Sequence, residues 1–140
     1  MRIAILTASL LVLTLTRELS AADLTGRYES DCSEAERWSR CFRLSVKQSG
    51  SKAQVSFTAA FGGGHIAAPD GWGTGTVFRT GELQFHFEDS FSNEGTGKFE
   101  RRGKAYVLTI HTTKVVEQRP LMLYEDPIRL MKKSSIPEKM

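Results

Sequence analysis

Between residues 23 and 131, large apolar residues alternate with polar ones in short runs separated by glycine-rich punctuation. This is the pattern of strands with one buried and one wet face. Eight strands are expected, at about 24–30, 41–48, 53–61, 73–79, 82–88, 96–101, 104–111 and 121–130. The period of two is clearest in Leu83-Gln84-Phe85-His86-Phe87 and Tyr106-Val107-Leu108-Thr109-Ile110. No run in this span carries a long helical period, so the fold class predicted is all-β.

The connections alternate in length. Those around Ser49-Gly50-Ser51, Thr80-Gly81 and Arg102-Gly103 are tight, whereas 31–40, 62–72, 89–95 and 112–120 are long. In an up-and-down meander successive connections fall at opposite ends, which gathers the long loops on one rim and the tight turns on the other. Gly73-Thr74-Gly75 with a turn at Gly81 returns, 22 residues later, as Gly95-Thr96-Gly97 with a turn at Gly103. Glycine inside a strand marks a bend, and repeated bends let a sheet close. The architecture expected is an eight-stranded antiparallel barrel or strongly curled meander with one short helical turn in the first long loop. A phosphate-loop reading of Gly95-Thr96-Gly97-Lys98 fails, because Ser92 stands where the motif needs glycine and Phe99 where it needs Ser or Thr.

Residues 1–22 change the context. Arg2, the apolar run Ile3 to Thr16 and the small residues Ser20-Ala21-Ala22 have the three-part order of a cleavable secretory signal. Arg17 and Glu18 interrupt the run before the ~20 residues that a spanning helix needs. The expectation is therefore an exported protein, periplasmic or secreted, with no stable membrane anchor. Its domain would run over 23–131, followed by a flexible tail at 132–140. In an exported chain the two cysteines, Cys32 and Cys41, are expected to pair. The helix-start pattern Asp31-Cys32-Ser33-Glu34 suggests a short helical turn between them.

Removing Arg2, Arg17 and Glu18 from 19 basic and 16 acidic residues leaves 17 against 15, a net charge of +2. That is too mild for a nucleic-acid partner, and the aromatics are not interleaved with basic clusters. The charge does separate along the expected barrel axis. The long-loop rim is net acidic, through residues such as Asp70, Glu88, Asp89 and Glu94. The tight-turn end is net basic, with Lys47, Lys52, Arg101 and Arg102 among its charges. An acidic rim would attract a cationic partner.

Gly26-Arg27-Tyr28, near the start of the mature chain, resembles the first lipocalin motif, Gly-x-Trp, with Tyr in place of Trp. The resemblance implies that a basic residue of the last strand, here Arg129, packs across Tyr28. It also implies an eight-stranded calycin-type barrel around an apolar ligand cavity. It covers the two chain ends.

Candidate chemistry is sparse. His65, His86 and His111 form neither a His-x-His nor a His-x-x-x-His pair, so no metal site is expected. There is no Gly-x-Ser-x-Gly elbow, and the cysteines are not free nucleophiles. Glu88 and Asp89 are adjacent on a strand and point to opposite faces, which disfavours an acid and base pair. The expectation is a non-enzymatic binding protein without a cofactor. Its partner-binding candidates, all on the long-loop rim, are Trp72, Asp70, Glu88, Asp89, Phe91 and Glu94, aromatic anchors among acidic residues. Two readings follow: an inhibitor or immunity-type module that binds a cationic protein, or a lipocalin-like carrier of a small apolar ligand.

Overall fold

The computed structural model describes residues 23–32, 39–61 and 68–139. The signal expected at 1–22, and residues 33–38 of the loop expected to hold the helical turn, lie outside them. Eight strands follow one another: β1 (Gly26–Glu29), β2 (Arg40–Ser49), β3 (Lys52–Phe61), β4 (Asp70–Val77), β5 (Leu83–Asp89), β6 (Glu94–Arg102), β7 (Ala105–Lys114) and β8 (Ile128–Ser134). Each pairs antiparallel with the next, and β8 pairs with β1 to close the barrel. The up-and-down order places the tight turns at one end and the long connections at the other, as the loop lengths predict. Gly50 and Gly103, at φ 61° and 64°, supply the positive φ that two-residue hairpin turns require.

Strand alternation decides what faces inward. Phe42, Leu44 and Val46 on β2, Val55 and Phe57 on β3, Phe85 and Phe87 on β5, Phe99 on β6 and Leu108 on β7 are all buried in one core. Full burial of each such side chain stabilises the fold by about 1.5–3 kcal/mol. Toward the long-loop end, Phe57 stacks on Phe42 at 5.1 Å and meets Phe87 edge-on at 5.3 Å. Toward the tight-turn end, Tyr28, Phe99 and Tyr106 form a second cluster with centroids 4.7–5.2 Å apart.

The Gly-Thr-Gly repeat has a packing role beyond bending. The register sets Gly73 opposite Phe87 and Phe87 opposite Gly95, and likewise Gly75, Phe85 and Gly97. The glycines leave room for the rings. A methyl group on Gly95 would stand 2.7 Å from Cε1 of Phe87, and one on Gly97 or Gly71 would overlap Cζ at the tip of the Phe85 or Phe57 ring.

Two expectations about the last strand are corrected. Residues 121–130 do not form it: Arg119–Leu123 is a 3-10 turn opened by Pro120, and β8 begins only at Ile128, after Pro127. Leu123 and Tyr124 drop into the long-loop end of the barrel and close it, Tyr124 packing against Phe57 and Phe87. Arg40 on β2 holds this connection by donating to the main-chain carbonyl of Glu125. Because β8 is displaced along the chain, the tail starts after Ser134 rather than at 132. The same displacement sets Lys132 opposite Tyr28, with Nζ 5.8 Å from the ring centre. Arg129, expected there, pairs with Val107 and is exposed.

Candidate functional site

With the lumen filled by side chains, the features among the described residues most able to meet a partner lie on the outer wall, where strand register arranges them in rows. The row nearest the long-loop end runs Ser56, Trp72, Glu88, Glu94 across β3 to β6. The next runs Gln54, Thr74, His86, Thr96, His111, and the one below it Lys52, Thr76, Gln84, Lys98, Thr109, both reaching β7.

The upper row brings together four of the expected site residues. Trp72 is 51% exposed although it belongs to β4, not to a loop, because pairing starts at Asp70 with β3 and at Gly71 with β5. Glu88 stands directly opposite it and Glu94 opposite Glu88, while Asp70 lies two residues from Trp72 on the same face. Asp70, Glu88 and Glu94 are exposed and make no ion pair among the described residues. Side chains of like charge so placed leave a negative potential around an exposed indole.

Asp89 does not share this surface. It is 1% exposed and points inward, where its carboxylate accepts four hydrogen bonds. Oδ1 takes the main-chain N–H groups of Phe91 (2.9 Å) and Asn93 (3.0 Å), and Oδ2 takes the Asn93 amide (3.1 Å) and the Tyr124 hydroxyl (2.8 Å). Burial, and then the bond to Asp89, push the Tyr124 phenol well above its usual range. Asn93, fully buried, extends the network: its Oδ1 accepts from the main chain of Val116 and Glu117, and its amide donates to the Glu117 carbonyl. This node ties the β5–β6 loop to the β7–β8 connection and fixes the plug. Phe91, in the loop that Asp89 organises, is half-buried. Sequence reasoning placed Asp89 on the rim because its run of polar neighbours gives no hint of Tyr124, 35 positions away.

The two lower rows form the floor of a trough of about 1020 Å³, whose margins include Lys47, Ser49 and the 43%-exposed Phe78. Its lining contains no carboxylate. His86 and His111 flank Thr96 from separate strands, as expected of outward-facing histidines. Among the described residues no group of three or more His, Cys, Asp or Glu side chains is placed to hold a metal ion. A smaller groove of about 270 Å³ lies on the outer face of β1 to β4, between Trp72 and Glu138 of the tail. The tail is held there by the Glu138 N–H, which donates to the Ser45 hydroxyl at 2.9 Å, and by Arg27, 3.7 Å from the Glu138 carboxylate.

Cys32 and Cys41 are disulfide-bonded, with Cα atoms 4.7 Å apart. Such a bond fits an oxidising, exported environment, and among the described residues no helix is long and apolar enough to cross a membrane. Comparison of the chain with protein-family models, curated proteins and solved structures found no match.

Proposed function

We propose that this protein is an exported, non-enzymatic binding protein that engages a cationic protein partner through the long-loop end of its outer wall, in the manner of an inhibitor or immunity-type module. The observation that carries this reading is the single row of Trp72, Glu88 and Glu94, with Asp70 beside it: an exposed indole set among unpaired carboxylates. Aromatic side chains of this kind are frequent energetic anchors, and the surrounding charge steers encounter and selects the sign of the partner. The alternative, a carrier of a small apolar ligand, is disfavoured by a lumen occupied by Phe57, Phe85, Phe87 and Leu108, each under 5% exposed.

The test is affinity capture from exported-protein extracts on the immobilised wild-type barrel and on a Glu88→Lys/Glu94→Lys variant. A basic protein retained by the wild type, released by rising salt and lost with charge reversal is the expected result. Retention of the same protein by the charge-reversed barrel would count decisively against this surface.

A further inference from the structure

The trough on the lower outer wall lies beyond the acidic row and carries the opposite charge. We propose that it binds an acidic glycan, a sugar chain bearing carboxylates. Three observations select that class of occupant.

The first is charge. Lys47, Lys52 and Lys98 line the trough with the imidazoles of His86 and His111, and no Asp or Glu faces them from the lining. Lys47 and Lys52 are exposed and make no ion pair among the described residues, whereas Lys98 is shared between Glu82 (3.8 Å) and Glu100 (3.9 Å) at the trough's edge. Two lysines are thus left to meet an incoming anion.

The second is the chemistry of the floor. Gln54, Thr74, Thr76, Gln84, Thr96 and Thr109 project from adjacent strands. Hydroxyls and primary amides both donate and accept hydrogen bonds. Sugar hydroxyls do the same, so a carbohydrate can use both the donors and the acceptors of this floor, whereas a lone anion would use its donors alone. The volume of about 1020 Å³ suits several sugar units rather than one small ion.

The third is what the trough lacks. Its central strands, β3 to β6, are paired on both sides along the trough, so they offer no free edge to which a peptide could add as a strand. The exposed phenyl ring on its margin is Phe78, at one end, and the floor offers only the imidazoles of His86 and His111, set apart by Thr96, rather than a continuous platform on which successive bases could stack. The concavity itself follows from the interior. Gly73, Gly75, Gly95 and Gly97 lie inward on both sides of Phe85 and Phe87, so the backbone there can approach the rings, while Thr74, His86 and Thr96 at the intervening positions face out into the trough.

The experiment is titration of isotope-labelled wild-type protein with hexagalacturonate, followed by amide shifts, with neutral maltohexaose, hexaglutamate and a short oligothymidylate as comparison probes. Saturable binding of hexagalacturonate, with shifts concentrated at Thr74, Gln84, His86 and Thr96, is the expected result. A folded Lys47→Glu/Lys52→Glu variant, altered only at exposed positions, should bind about tenfold or more weakly. Thr96→Val, which keeps the shape and removes one hydroxyl, should weaken binding while leaving thermal stability close to wild type. Absence of saturable binding, or shifts centred elsewhere, overturns the proposal. Hexaglutamate or oligothymidylate binding as tightly as hexagalacturonate overturns the assignment to a glycan, and equal binding of maltohexaose overturns the role of charge. None of these variants touches Trp72, Glu88 or Glu94, so the outcome is independent of the protein-binding surface.

Discussion

Replacing Asp89 by asparagine tests whether the long-loop end is held by one buried polar node. The native carboxylate accepts four hydrogen bonds of 2.8–3.1 Å while 1% exposed. Hydrogen bonds to a charged group contribute about 1.5–3 kcal/mol each. In Asp89→Asn the remaining oxygen still accepts from the main chain of Phe91 and Asn93. The new amide, however, faces the Asn93 amide, donor against donor, and the Tyr124 hydroxyl must rotate to accept. One bond is lost and the others lose their charge assistance, which places the cost at about 2–4 kcal/mol. A domain of this size has about 5–15 kcal/mol in total, so the variant should still fold. Urea denaturation of wild type, Asp89→Asn, Tyr124→Phe and the double variant gives the coupling between the two side chains, expected at about 1–2 kcal/mol. Hydrogen exchange supplies a second readout. Val116 and Glu117, whose N–H groups bond to Asn93 Oδ1, should lose protection before the strands do. A loss below about 0.5 kcal/mol, or additive single effects, would refute the node.

Other consequences follow from the same structure. Gly97→Ala forces a methyl group into the Phe85 ring and should cost about 1–3 kcal/mol in urea denaturation, as overpacking does. Gly50→Ala meets no neighbouring atom and carries only the strain of its positive φ, so it should cost about 1 kcal/mol. Tyr28 and Tyr124 both hold their protons more tightly folded than unfolded, chiefly through burial. Their contribution is therefore complete below the unfolded phenol value of 10.0 and is lost as pH rises from there toward the folded values. The denaturation midpoint should fall above pH 10, and Tyr124→Phe, less stable at neutral pH, should fall less steeply. Reduction of Cys32–Cys41, which closes a short loop, should remove about 2–3 kcal/mol. It should also weaken partner capture before it unfolds the barrel. Equal loss of both would make the bond structural only.

Much of this architecture is legible in the chain. Alternation located the first seven strands but set the eighth too early, and loop lengths identified which connections share an end, because both depend on local sequence. The errors have physical causes. Leu121 and Leu123 match a strand's period, as do Ile128 and Leu130, yet the two pairs are out of phase and Pro127 sits between them, and proline in a paired strand is confined to edges and bulges. That signal marks where the 3-10 plug stops and β8 starts. Lys132 could be preferred to Arg129 only once β8 was placed correctly. The Asp89, Asn93 and Tyr124 node was not legible, since it joins three chain segments through a fold that no local pattern encodes. For the trough, strand parity already turned Thr74, His86 and Thr96 outward, but its concavity depends on the inward glycines meeting the phenylalanine rings.

Interior and exterior are coupled through those glycines. Where an eight-stranded barrel keeps a cavity, large side chains line an open lumen; here Phe57, Phe85 and Phe87 lie over adjoining strands stripped of Cβ atoms. Space given up by the glycine strands is taken by the rings, and the same backbone positions form the floor of a depression outside. Among the described residues the surface left open to a partner is thereby the wall rather than the lumen. Along that wall charge changes sign within the length of β4 to β6, from Glu88 and Glu94 in the upper row to Lys98 and the neighbouring Lys52 in the lower one. Those two rows lie four residues apart, about 13 Å, but the trough's nearer row of Thr74, His86 and Thr96 lies only two residues, about 7 Å, from Trp72, Glu88 and Glu94, less than the screening length of about 8 Å at physiological ionic strength. A ligand in the trough would therefore alter the potential felt at Trp72. Binding at the two surfaces should be coupled in favour of partners of opposite charge: hexagalacturonate in the trough should tighten capture of a basic partner at the upper row, and high salt should remove the effect.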